Sequence, residues 1–192
     1  ENGGFESGLA PWQMQDGKGK LEVTDADAAS GTYSVLAKDR VATGNGPMQN
    51  LTGKVNAGRK YKVAAKVKYT SGPDSRDFAF TFRYGDGTFK NAKIATVKKN
   101  EWTLIEGSYK IPADADMSDV YAFLETTWTV EQDKQKDLMD FYVDDVSIVE
   151  EPKDEQIENG ENDYNGSNLK LEWQWNHNPN NNNWSLTEKN GY

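Results

Sequence analysis

Apolar and polar positions alternate along most of this chain. From Lys60 to Tyr69, the residues Tyr61, Val63, Ala65, Val67 and Tyr69 alternate with Lys60, Lys62, Ala64, Lys66 and Lys68. A strand sends successive side chains to opposite faces, so a period of two predicts a strand with one apolar and one mostly basic face. Phe78, Phe80 and Phe82 alternate with Ala79, Thr81 and Arg83 in the next run. If the phenylalanines fill a core, Thr81 and Arg83 look outward from the same strand. A third run sets Trp102, Leu104, Glu106, Ser108 and Lys110 against Thr103, Ile105, Gly107, Tyr109 and Ile111, and the last long strand is Phe141–Val149. Turn residues punctuate the chain at Asp16-Gly17, Ser30-Gly31, Gly44-Asn45-Gly46-Pro47, Ser71-Gly72-Pro73-Asp74, Gly85-Asp86-Gly87 and Pro112-Ala113-Asp114. No stretch sustains a 3.6-residue apolar period. Short strands with frequent turns predict an all-β fold, an antiparallel β-sandwich of jelly-roll type whose two sheets bury aromatic and β-branched faces against each other.

The pattern changes near the end. Residues 1–149 read as one β-sandwich domain without internal repeats. Residues 150–167 (EEPKDEQIENGENDYNGS) are acidic and polar and read as a linker. Residues 168–192 open with the alternating Leu169-Lys170-Leu171-Glu172-Trp173-Gln174-Trp175 and carry Trp184. About 25 residues cannot close a sandwich of their own, so they read as the truncated beginning of a further β domain.

Composition narrows the chemistry. The 192 residues hold no cysteine and one histidine, His177, which removes disulfides, thiolate chemistry and multi-histidine zinc sites. With 22 basic and 31 acidic residues the net charge is −9, so neither nucleic acid nor a membrane surface is an expected partner. No apolar run approaches the ~20 residues of a membrane helix. A hard, oxygen-seeking cation such as calcium stays open, because carboxylates are plentiful. Two carboxylates suffice for glycoside hydrolysis, yet among 31 acids nothing marks one pair, so catalysis by this chain is not expected.

Several segments together carry a family resemblance. Asn2-Gly3-Gly4-Phe5-Glu6 with Leu9 and Trp12, Ser30-Gly31-Thr32-Tyr33-Ser34-Val35, Asp39-Arg40, Ala57-Gly58-Arg59-Lys60, Trp102-Thr103 and Asp140-Phe141-Tyr142-Val143-Asp144-Asp145-Val146-Ser147 follow in order. This resembles the carbohydrate-binding modules of families 4, 9 and 22 over residues 1 to 149. The resemblance implies a β-jelly-roll that binds plant cell-wall polysaccharide, xylan or β-glucan, with a catalytic domain in cis. The tail, Leu171 to Pro179 with Trp184 to Glu188, looks like the start of the C-terminal β-sandwich of glycoside hydrolase family 43. That implies a secreted, extracellular hemicellulase of xylosidase or arabinofuranosidase type. The opening residues carry no signal peptide, so any such segment is expected to lie outside this sequence.

The resemblance also implies sites. A structural calcium is expected at the carbonyls of Gly4, Ser30 and Tyr33 with carboxylates from Glu6 and Asp144; the alternative is that these two carboxylates are solvated or hydrogen-bond backbone amides. For a glycan, rings cover C–H faces and polar side chains bind hydroxyls. The expected polar ligands are Arg40, Gln49, Arg83 and Glu125, and the expected platforms Tyr84, Phe89, Phe123 and Trp128. Phe123 and Glu125 lie two apart on one strand and so share a face. Core packing is an equal reading for Phe89 and Phe123, and the favoured one for Trp12 and Trp102. One departure stands out: Gly44 occupies the position at which many relatives carry a binding tryptophan. Either another aromatic such as Trp128 replaces that ring, or glycan binding is weak or lost, which leaves open a structural or interaction sandwich.

Overall fold

The lysine-studded alternation at residues 60–69 does form a strand, and its partners surround it as a sandwich requires. The structure is a computed structural model that describes residues 1–152. The linker from residue 153 onward, the 168–192 segment and His177 lie outside the described residues.

Ten strands are described: Gln13–Met14 (β1), Lys20–Thr24 (β2), Ser34–Lys38 (β3), Pro47–Asn50 (β4), Lys60–Tyr69 (β5), Ser75–Arg83 (β6), Phe89–Lys98 (β7), Thr103–Lys110 (β8), Tyr121–Thr126 (β9) and Phe141–Glu150 (β10). They make two five-stranded antiparallel sheets, ordered β1-β4-β9-β6-β7 and β2-β3-β10-β5-β8. The jelly-roll sandwich expected from the alternation is thus the fold observed.

The core lies between the sheets. β5 contributes Tyr61, Val63, Ala65, Val67 and Tyr69, and β6 contributes Phe78, Phe80 and Phe82, all buried. Phe78 meets Phe141 of β10 edge-to-face at 5.1 Å. Trp12 is core, packed on Phe5 at 5.4 Å with its indole N–H on the Asn2 carbonyl at 2.9 Å. Trp102 is not. It lies half-buried 6.4 Å from Tyr142, donating to Asp27 at 2.9 Å.

β10 changes parity midway. Phe141 and Val143 face the core, then a bulge between Asp144 and Ser147, with Asp145 at φ 51°, turns Val146 and Ile148 inward instead. Asp144 therefore projects to the outside of its sheet, opposite Lys66. It is nonetheless fully buried, because the chain at Ala29 and Ser30 folds over it.

Candidate functional site

Strand parity decides which side chains reach the outer face of the first sheet. On β9, Ala122 and Leu124 join the core, so Tyr121, Phe123 and Glu125 point out. On β6 the three phenylalanines point in, so Ala79, Thr81 and Arg83 point out. The register sets Thr81 between Phe123 of β9 and Asn91 of β7, and Arg83 between Tyr121 and Phe89. Met48 of β4 lies opposite Phe123, and Gln13 of β1 opposite Met48. One surface thus gathers Glu125, Phe123, Phe89 and Arg83, four of the eight side chains expected at a sugar site.

At one end of this face Glu125 is half-buried. The Thr81 hydroxyl donates to its Oε1 at 2.5 Å and stands 2.9 Å from the Asn91 side-chain amide. Burial pushes the Glu125 carboxyl up to about 7, against the Thr81 hydrogen bond and the Arg40 charge, which both favour ionisation. Gly44 closes this end. A Cβ built on it would lie 3.4 Å from Gln15 Oε1 and 3.5 Å from Glu125 Oε2. Bare backbone therefore stands beside the carboxylate where a ring was expected.

At the other end, Phe89 is 52% exposed and meets Phe123 edge-on at 6.2 Å. Phe123 itself is only 1% exposed. It supports Phe89 and offers no ring face of its own, which corrects its reading as a platform. Trp128, 69% exposed, is on the loop after β9, which leaves the sheet at the Glu125 end. Arg83 lies over the Tyr121 ring at 5.5 Å, with Asp119 Oδ2 3.9 Å away.

Three expected ligands are elsewhere. Arg40 is buried, and its guanidinium donates to the carbonyls of Asn45 (2.6 Å), Thr43 (2.7 Å), Met139 (2.8 Å) and Asp137 (3.2 Å) and to Thr126 Oγ1 (2.9 Å). All its donors are engaged in pinning two loops together over the Phe141 ring, so none is left for a sugar. Burial lowers its pKa to about 9, with Asp140 and Glu125 opposing. Gln49 pairs with Ala122 and so points inward, its amide donating to the Glu1 carbonyl at 2.9 Å. Tyr84 continues the inward parity of Phe82, stacks on it, and shares a 2.9 Å hydrogen bond with the Tyr109 hydroxyl between the sheets. Burial raises its phenol well above the ordinary range. Gln15 and Asn91, conversely, border the face without having been expected there. Only the outward parity of Thr81 hinted at a polar strip on this sheet.

Of the expected calcium ligands, Gly4 lies beside Asp144 and Glu6, and both carboxylates accept hydrogen bonds from backbone amides. Glu6 Oε1 accepts from the amides of Thr32 and Tyr33 at 2.9 and 2.8 Å. Asp144 accepts from Ala29 (2.8 Å), Ser30 (3.1 Å) and Asp145 (2.7 Å). Gly4 is wedged among them, a Cβ on it lying 3.9 Å from Asp144 Oδ1 and 4.0 Å from Glu6 Cγ. Burial pushes the Asp144 carboxyl up, and its recorded partners are all backbone amides. A buried carboxylate without a cationic partner fits a hard cation. Among the described residues no three His, Asp or Glu side chains form a metal-binding group, so backbone carbonyls must complete such a site.

Comparisons with known proteins agree with this fold. The chain is 33% identical over 156 residues to endo-1,4-beta-xylanase A of Thermoanaerobacterium saccharolyticum, covering 80% of this chain and 13% of that protein. It is 29% identical over 150 residues to the Thermotoga neapolitana enzyme of the same name, covering 76% of this chain and 14% of that protein. The chain thus spans about one-seventh of these relatives. A solved structure described as a xylan-binding domain from CBM 22 superposes with TM-score 0.66 at 25% identity, covering 77% of this chain and 91% of that one. The CBM22-2 xylan-binding domain of Paenibacillus barcinonensis Xyn10C shares the fold at TM-score 0.69 and 23% identity, covering 78% and 98%. Residues 161–192 match the model of a beta xylosidase C-terminal concanavalin A-like domain. The model of the carbohydrate-binding domain family that joins families 4 and 9 matches residues 1–136, and the chain belongs to that family.

Proposed function

We propose that residues 1–149 form a non-catalytic module that holds a hemicellulase against β-glycan chains, with xylan as the ligand. The observation that carries this reading is the outer face of the first sheet, where exposed Phe89 and the half-buried carboxylate of Glu125 share one surface. The xylan-binding structural neighbours support the choice of glycan. Stacking that removes ~60–80 Å² of apolar surface contributes roughly 1.5–2 kcal/mol. A few such contacts, after association costs, give micromolar to millimolar affinity. Binding raises local substrate concentration for a catalytic domain in cis. Matching of the tail to a xylosidase C-terminal domain supports a secreted, extracellular parent of xylosidase or arabinofuranosidase type.

Calcium belongs to the same proposal as a structural ion. Asp144 and Glu6 would supply carboxylates, with carbonyls from Gly4, Ser30 and Tyr33. The ion would tie the N-terminal segment to β10 and stabilise the native state by mass action. Chelator should then lower the melting temperature of the wild type and leave Asp144→Ala and Glu6→Ala unaffected.

The deciding experiment is isothermal titration against xylohexaose and cellohexaose, with calcium and with chelator, beside electrophoresis in xylan-containing gels. Saturable heat with xylohexaose is expected. Absence of heat with both sugars, together with unretarded migration, overturns the reading. Gly44, a bare backbone position beside Glu125, favours one second reading, a structural sandwich with weak or lost glycan binding, and the same result would select it.

A further inference from the structure

Four arginines are described, and three have guanidinium groups that are hydrogen-bonded, although Arg76 Nε is buried without a hydrogen-bond partner among the described residues. Arg40 pins loops, Arg59 pairs with Glu150, and Arg76 holds Thr127 and Asp137. Arg83 differs. Among the described residues its side chain makes no hydrogen bond; it lies over the Tyr121 ring at 5.5 Å and stands 3.9 Å from Asp119, beyond hydrogen-bonding distance. The guanidinium lies over an aromatic ring while its donors make no hydrogen bond among the described residues, an arrangement suited to bidentate capture of a carboxylate.

Its position gives that fork a ligand. Arg83 and exposed Phe89 are register partners on β6 and β7. Directly paired side chains on one sheet face have Cβ atoms ~4.5–5.5 Å apart. A sugar lying on the Phe89 ring therefore presents its ring substituents to the guanidinium. Glu125, which would repel an anionic branch, pairs with Ala79, four residues from Arg83 and so ~13 Å along the strand. Asp119 is the nearest competing carboxylate, on an exposed pair that contributes little in water.

We propose that Arg83 is a specificity residue that recognises the carboxylate of a uronic acid branch on the xylan backbone, so that acid-substituted xylan is the preferred ligand. This rests on the glycan-binding reading above. The test uses the full chain and two probes of equal backbone length, a xylo-oligosaccharide bearing one glucuronic acid branch and its unbranched counterpart. The branched probe is expected to bind about three- to tenfold tighter at low salt, with the ratio falling towards one in ~0.5 M salt. Arg83→Gln should bring the ratio to one, while Arg83→Lys, which keeps the charge but loses the fork, should retain part of it. Equal wild-type affinities, or a preference that survives Arg83→Gln, overturn the Arg83 inference and leave the glycan reading standing. Binding to neither probe overturns both. A third arm with an oligogalacturonate separates branch from backbone acid, since binding to it alone would move the ligand class off xylan.

Discussion

On the outer face of the second sheet, Lys62, Lys66 and Lys68 stand against Glu106, Asp145 and Asp27 at 2.8, 3.0 and 2.6 Å. On the outer face of the first sheet, among the described residues, Glu125 has no ion pair and Arg83 has a single one, to Asp119 at 3.9 Å. Both sheets bury their inner faces with the same alternation of apolar side chains. The difference is that one outer face neutralises its charges in close pairs, whereas at the two ends of the other Glu125 has no ion pair among the described residues and Arg83 only a loose one. A surface satisfied within itself gains little from a ligand, whereas under-partnered polar groups beside an exposed ring gain hydrogen bonds when one arrives. The contrast itself, more than any one residue, supports the proposed placement of binding on the first sheet.

The sharpest challenge to that contrast is Arg40, a charge that is buried and satisfied beneath the binding face. Arg40→Ala should leave the carbonyls of Thr43, Asn45, Asp137 and Met139 without their shared donor. The expected loss is about 3–5 kcal/mol in urea unfolding, with glycan affinity falling only as loop 41–46 loosens. Retained stability with abolished binding would instead place Arg40 in contact with the ligand.

Glu125 comes next. Its folded pKa is raised from 4.5 to about 7, so the native state binds this proton more tightly than the unfolded chain does. Stability from this group is fully present below about 4.5, falls as pH rises, and levels off above about 7, a change of up to about 3 kcal/mol. Glu125→Gln should flatten that slope and raise stability at pH 8. It should also cost roughly ten- to a hundredfold in xylo-oligosaccharide affinity at pH 8, because an ionised acceptor is lost. Wild-type affinity is expected to climb as pH passes about 7. Equal pH slopes for wild type and variant would show that the carboxylate is not the group that titrates.

Gly44→Trp tests the same end of the strip, beside Glu125. The Gly44 backbone lies outside the left-handed region, and a Cβ there meets only Gln15 Oε1 at 3.4 Å and Glu125 Oε2 at 3.5 Å. The Cβ of the new side chain therefore fits at ordinary van der Waals contact. If the ring stacks on a sugar, the gain is about 1.5–2 kcal/mol, or roughly ten- to thirtyfold in affinity. Weaker binding in titration would mean that the ligand itself occupies the space above Gly44.

Legibility in the sequence followed burial. β5 and β6 were readable because each buries one face completely, so their apolar residues keep strict parity. β7 was not, because this edge strand exposes most of both faces and FKNAKIATVK shows no alternation. Tyr84 was readable after all, since it extends the parity of Phe78, Phe80 and Phe82, and that parity directs it inward. Gln49 was not, because a four-residue strand between Gly46 and Leu51 gives no pattern from which to fix a face. The burial of Arg40 was hidden for a different reason. The carbonyls of Asp137 and Met139 lie 97 and 99 residues away, and only the closed sandwich brings them together. The pairing of Glu125 with Phe123, both on one strand, needed only local parity.

The smallest expected effect is on the satisfied face, and it tests the comparison from its other side. Lys62 donates to Glu106 at 2.8 Å across β5 and β8, and each partner shields the other's charge at a solvent-exposed position. Exchanging both for glutamine, Lys62→Gln with Glu106→Gln, removes two opposite charges and leaves net charge and strand pairing intact. Exposed pairs of this kind add little to stability, because water solvates each ion nearly as well as its partner does. Melting should therefore stay within measurement error, and retardation in xylan gels should match the wild type. Weakened retardation with unchanged melting would put glycan on the second sheet and remove the reason for assigning binding to the first.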